Sequence, residues 1–426
     1  MFRKIFAIVF MLSSVAVFSQ NLDLSGYARY YAGVKAGNGN NDLTISQTTM
    51  NMNFEKLTDF GAFKVNPMLY YYGGLDSLVL YLREAYVDMY FNKFDLRIGK
   101  QQVIWGKADG VFITDIVSPK NLSEFLLPEF DEIRIGITAV KLDYYVADNH
   151  TIEAIWSPVF NPTVYAPTNS IWHPNMMPQI SLPNNPPVVI DRSKEKITPS
   201  LENSEFFLKY SALTSAIDFE IMGAYMWDDD PALAKNVEFT PVNGQPVPTK
   251  VTVMPEHKRL SLAGGSFSTT LGPFVLRGEA AYYFGKYFQT TNPAVNNGLV
   301  QKDYIHYLVG VDFTLWDINL SGQFIQKAIM DYKDGELLET PLFKEQYNNM
   351  ATFLAHYSCL NETLTLEYFM YYDFNYDDAL IRPRILYDYS DHISLQFGAN
   401  IFVGDQGLFG QYDKNDMVYA KVYYNF

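Results

Sequence analysis

The chain has one cysteine, Cys359, so no internal disulfide can brace it and its fold does not depend on oxidation. No protease-like constellation surrounds that thiol. Charge is sparse, at 19% of residues, and basic charge is sparser: 32 Lys and Arg stand against 47 Asp and Glu, a net charge of -15. Such acidity excludes a nucleic-acid binder. Catalytic signatures are missing as well, with no Gly-x-Ser-x-Gly, His-Glu-x-x-His or Cys-x-x-Cys run among the residues. Neither an enzyme nor a cofactor is expected. His173 with Met176 and Met177 has the donor types of a soft-metal site, but in a Pro-rich loop these read as packing residues and no metal is expected.

Long apolar runs are absent after the first 20 residues. Those 20 begin with Arg3 and Lys4, continue with an apolar stretch from Ile5 to Leu12, and end in small and mixed residues at Ser19 and Gln20. This is the layout of a secretory signal peptide. The apolar stretch is shorter than the ~20 residues of a spanning helix. Cleavage near Ser19 or Gln20 is expected, and losing Arg3 and Lys4 makes the remaining chain more acidic still. Residues 21–426 then form a single domain.

Aromatic residues are abundant: 16% of the chain, with 32 Tyr and 31 Phe. A water-soluble surface carrying so many rings would associate, whereas a membrane barrel needs them on its outer wall and in its interfacial girdles. The dominant pattern has period two. Ile393 to Ile401 alternates apolar with polar or small residues without a break. Ile217, Phe219, Ile221, Tyr225 and Trp227 oppose Asp218 and Glu220; Phe274, Leu276, Ala280, Tyr282 and Phe284 oppose Arg277 and Glu279. In a strand these sets point to opposite faces.

Reading this pattern along the chain gives about 18 strands (16–18), an even number as barrels have. They fall near 22–33, 43–55, 60–71, 79–91, 94–104, 132–145, 150–157, 204–212, 216–227, 259–270, 274–286, 303–314, 317–328, 347–357, 362–373, 380–389, 392–403 and 417–426. Tight turns such as Thr58-Asp59, Asp148-Asn149 and Leu315-Trp316 alternate with mostly long connections at 106–131, 158–203, 228–258, 287–302, 329–346 and 404–416. Short turns on one side and long loops on the other mark an all-β, antiparallel, up-and-down transmembrane barrel. The last strand sets Val418, Ala420, Val422, Tyr424 and the terminal Phe426 on one face. Val422, Tyr424 and Phe426 resemble the C-terminal signature by which the outer-membrane assembly machinery takes up its barrel clients.

One stretch is more specific. Arg97-Ile98-Gly99-Lys100-Gln101-Gln102-Val103-Ile104-Trp105-Gly106 ends a strand and leads through Asp109, Asp115, Pro119-Lys120-Asn121 and Glu129 to Arg134. Here the chain resembles porin-like outer-membrane proteins of the alginate-export and related uncharacterised barrel families. The resemblance implies a single-chain barrel with a loop folded inward. The residues reach a similar expectation alone: 106–131 is too long for a simple connector, and Val111-Phe112-Ile113 and Phe125-Leu126-Leu127 are apolar patches that suit the inner wall better than water. An outer flap packed on its neighbours is the alternative.

Candidate lumen and constriction residues are Arg97, Lys100, Gln101, Trp105, Asp109, Asp115, Arg134, Arg277, Glu279, Arg382 and Arg384. Arg382 and Arg384 share a face and are expected to meet an anion, since rings of charge set selectivity in pores. The partners expected are outer-membrane lipid and lipopolysaccharide, the barrel assembly machinery and a small solute, with no nucleic acid. The functional expectation is a porin-like channel for small solutes. The alternative is a dedicated transporter of a hydrophobic or amphiphilic compound, suggested by lumenal Tyr27, Tyr31, Tyr86, Tyr90 and Tyr283 and by the apolar loop at 158–190.

Overall fold

The computed structural model describes residues 22–37, 43–175, 186–242 and 245–426. The signal-peptide reading of 1–20 and the Met176-Met177 pair lie outside the described residues. In chain order the strands are β1 (Asp23–Lys35), β2 (Leu43–Thr58), β3 (Gly61–Tyr72), β4 (Ser77–Tyr90), β5 (Phe94–Gln101), β6 (Asn121–Leu122), β7 (Ile137–Ala147), β8 (His150–Ser157), β9 (Val164–Tyr165), β10 (Val188–Ile190), β11 (Glu205–Leu213), β12 (Asp218–Trp227), β13 (Ala232–Val242), β14 (Gln245–Glu256), β15 (Arg259–Leu271), β16 (Phe274–Gln289), β17 (Leu299–Leu315), β18 (Ile318–Ile329), β19 (Tyr347–Cys359), β20 (Leu364–Asp373), β21 (Asp378–Asp388), β22 (Ile393–Val403) and β23 (Met417–Asn425).

Eighteen of these form one antiparallel sheet, and the pairing of β1 with β23 closes it into a barrel. Closure satisfies every strand edge, which lipid requires of a spanning sheet. The outer face is apolar, as the alternation predicts: Ile221, Phe397, Val418 and Tyr424 are each about half or more exposed. Their neighbours Met222, Gln396 and Tyr419 are buried on the inner face. No helix among the described residues is long and apolar enough to cross a membrane.

The tight turns lie on the side of the two chain ends. Asn149 and the Trp316-Asp317 pair take left-handed φ of 62°, 49° and 65°, the conformation that lets a short turn match strand twist. On the opposite side lie the long connections, and there the sequence expectation needs correcting. Segment 228–258 is not plain loop: β13 and β14 form a hairpin, with β10 added in parallel. Pro241, Pro246, Pro248 and Pro255 obscure those strands in the sequence, because proline is confined to strand edges and bulges. β16 and β17 run on to Gln289 and from Leu299, so the loop expected at 287–302 is shorter. In contrast, β5 stops at Gln101 and β7 begins at Ile137. The excursion expected over 106–131 therefore spans 102–136.

Candidate functional site

Segment 102–136 leaves the wall and meets the inner faces of strands all round the barrel. Its first anchor is Trp105, whose indole N–H donates to Glu153 on β8 and whose ring is 1% exposed. Next, Glu279 on β16 accepts the backbone N–H of Lys107 and, at 2.8 Å, the Thr114 hydroxyl. Gly106 takes φ +88°, and a Cβ there would stand 2.9 Å from the Glu279 carboxylate. Only glycine lets backbone and carboxylate approach in this way. Gly110 repeats the logic on the other side. It takes φ +80°, its carbonyl accepts the Tyr371 hydroxyl of β20 at 2.8 Å, and a Cβ would meet Phe369 at 2.4 Å.

The charges interlock. Arg277 on β16 is paired with Asp109 of the segment and with Asp312 of β17 at 2.7 Å. Arg29 on β1 meets Glu132 at 2.8 Å. Lys421 on β23 and Arg384 on β21 meet Glu129 at 3.1 and 3.0 Å, and Arg384 also holds Glu367 at 2.7 Å. Arg382 donates to the carbonyls of Leu126 and Leu127 at 2.8 and 2.9 Å. Burial alone would push the Glu129 carboxyl up, but Lys421, Arg384 and Arg382 pull it down to about 2. Burial raises Glu124, whose carboxylate accepts from Gln47 on β2 at 3.0 Å. The base of the excursion is pinned by Ser118 with Val103 and by Arg134 with Asp115 at 2.7 Å.

Two apolar clusters complete the seat. Val103, Trp105, Ile113, Ile116 and Val117 pack with Ile155, Phe207, Met222 and Tyr283 of the wall. Phe125 and Leu127 pack with Tyr371, Phe402 and Tyr419, joined by Trp172 from the next long loop. Burying a side chain of this size contributes about 1.5–3 kcal/mol.

Beside the segment, against β1–β4, a polar gap of about 130 Å³ remains. Tyr31, Tyr70, Tyr72 and Tyr81 line it together with Arg29, Gln47, Glu124, Glu132 and Lys421. Most of these residues are absent from the sequence-derived candidates. Their signal was present, as tyrosines on the inward parity of β3, but no motif marks it.

The remaining candidates fall elsewhere. Arg97 is bonded to Asp88 at 2.6 Å on the wall, and Gln101 to the Ala139 carbonyl at 3.1 Å. Lys100 comes at the wrong parity for the face of Arg97 and Gln101: it registers with Ala85 and Thr138, and its ammonium lies 4.8 Å from the Tyr81 ring centroid. Arg382 and Arg384 were expected to meet a passing anion; their donors are instead taken up by the segment and Glu367. Val422 and Tyr424 face outward, and Phe426 exchanges backbone hydrogen bonds with Gly26 of β1.

A family model described as a protein of unknown function, DUF1302, matches residues 17–426. No curated protein matches the chain. Among solved structures the chain is similar to Pseudomonas aeruginosa OccK2 (OpdF), at TM-score 0.54 and 11% identity over 96% of this chain and 98% of that one. It is similar to Acinetobacter baumannii OccAB1, at 0.54 and 9% over 96% and 97%, and to Pseudomonas aeruginosa OccK5 (OpdH), at 0.52 and 9% over 96% and 99%. These likenesses are of fold: the closed 18-stranded barrel of outer-membrane porins.

Proposed function

We infer that this chain, a member of the DUF1302 family, is an integral outer-membrane channel that admits small solutes through a bore narrowed by segment 102–136. A barrel of 16–18 strands without an insert encloses an aqueous channel. The observation that carries the reading is the seat of the segment, bonded to β1, β2, β8, β16, β20, β21 and β23 while a polar gap stays beside it. Tyrosine hydroxyls, the amides of Gln47 and Asn121 and charges of both signs suit a hydrated or mildly amphiphilic solute rather than a bulk ion flux. The apolar outer belt supports a barrel held in lipid, and the outward Val422 and Tyr424 with the terminal Phe426 support reading the last strand as its assembly signal. The role is passage rather than catalysis.

Planar-bilayer recording tests this. Purified wild-type protein is expected to give small, steady, ohmic unit currents, and liposome swelling is expected to fall off steeply with solute size. A barrel that inserts and passes neither ions nor small solutes overturns the reading.

A further inference from the structure

A cavity of about 390 Å³ opens among the long connections, on the side of the barrel away from both chain ends. Residues within 162–174 and 190–195, the β13–β14 hairpin, the upper end of β16 and residues near 340 all contribute to it. This volume is within the range of small-molecule sites, roughly 300–1,000 Å³. Its walls are apolar, formed by Leu233, Pro255, Phe288, Leu299, Leu342 and Phe343.

Its polar groups are unbalanced. Lys286 is bonded to Asp228 at 2.6 Å, and Arg192 is taken by Glu195 at 2.7 Å. Asp230 also lines the cavity; it accepts the Tyr165 hydroxyl at 2.6 Å and, among the described residues, has no cation within ion-pair distance. A second lining acceptor, the Gln289 side-chain oxygen, is buried without a donor. The cavity thus holds a carboxylate with a hydroxyl donor but no ion-pair partner, and an amide oxygen without a donor, beside two phenylalanine rings that meet edge to face, 5.1 Å apart.

We propose that this cavity is the capture site of the channel, and that its ligand is an amphiphilic organic cation with an aromatic or branched apolar body and a primary or secondary ammonium head. The proposal rests on the channel reading and names its substrate class. A primary ammonium brings three donors and no acceptor, which matches Asp230 and Gln289. The Phe343 ring already carries the Lys327 ammonium 5.1 Å from its centroid, so Phe288 and Phe343 serve the apolar body of the ligand and the cation preference rests on Asp230 and Gln289. The chain's net charge of -15 favours cation approach over anion approach. An anion of the same shape would meet Asp230 unpaired.

The test uses detergent-solubilised full-length protein and three probes of one shape: 4-phenylbutylamine, 4-phenylbutanol and 4-phenylbutyrate. Calorimetry is expected to rank the amine about tenfold or more above the alcohol, the worth of a charge-assisted hydrogen bond, with the carboxylate weakest. Asp230→Asn should remove the amine's advantage and keep the alcohol's affinity, while Phe343→Ala should weaken both. Wild-type current should be blocked by the amine added on the loop side at lower concentration than on the turn side, a readout that needs no variant. Equal binding of amine and alcohol, or an advantage that survives Asp230→Asn, overturns the proposal. Ohmic current without amine binding overturns the capture site and leaves the channel standing. Amine binding to a barrel that carries no current overturns the channel and leaves the cavity as a binding site.

Discussion

At the scale of single residues, the inward segment is held by charge pairs that sequence parity half reveals. Parity places Arg382 and Arg384 on the inner face, but which carboxylate each meets depends on the path of a segment without periodicity. The same holds for Glu129, which joins β21 to β23 through Arg384 and Lys421. Glu129→Gln removes the shared charge and is expected to loosen the segment by about 1.5–3 kcal/mol, the worth of hydrogen bonds to a charged group. It should appear as noisier unit currents of higher mean conductance. Acid should do the same to the wild type. A carboxyl held below its ordinary value of 4.5 contributes stability that is complete above about 4.5 and is lost as pH falls toward about 2. Conductance is therefore expected to rise across that window, less so in Glu129→Gln. Arg382→Ala with Arg384→Ala should raise conductance as well as shift ion preference. Arg97→Gln, on a wall pair with Asp88, should leave conductance near wild type. Equal conductance in all three variants would count against the anchoring.

At the scale of elements, all eighteen wall strands are legible from alternation, because each must put apolar side chains into lipid and polar ones inside. What alternation misses is where strands stop. β5 ends at Gln101, and Val103 and Trp105, on the inward parity of Arg97 and Gln101, carry apolar side chains that are buried in the lumen rather than exposed to lipid. The turn inward depends on Gly106 and Gly110. Gly110→Val would drive side-chain atoms into Phe369 and Tyr371, so the segment should lift from β20 and limited proteolysis should cut within 106–128. Protection equal to wild type would argue against that contact. The terminal strand makes a separate prediction. Val422 and Tyr424 face out, and Phe426 pairs with Gly26 at the closing seam. Deleting Phe426, or replacing Tyr424 and Phe426 with Asp, is expected to cut outer-membrane levels through lost recognition. A charge near the interface costs only about 0–1 kcal/mol. Normal levels of both variants would refute the signal.

At the scale of the whole molecule, barrel and segment are two layers of one design: a closed wall that lipid requires and an insert seated against its inner faces. The wall was readable because its physics repeats every second residue. The polar gap against β1–β4 was not, since it is defined by residues on five strands and one segment that are far apart in the sequence. As a closed barrel the protein should be heat-modifiable, migrating differently on SDS gels before and after boiling. The central claim, that segment 102–136 narrows the bore, is tested most directly by replacing residues 109–128 with a short Gly/Ser linker and measuring single-channel conductance. The barrel should still be heat-modifiable, since β5 and β7 keep their ladder. Conductance is expected to rise several-fold with weakened discrimination by solute size. A heat-modifiable variant with wild-type conductance would contradict the account.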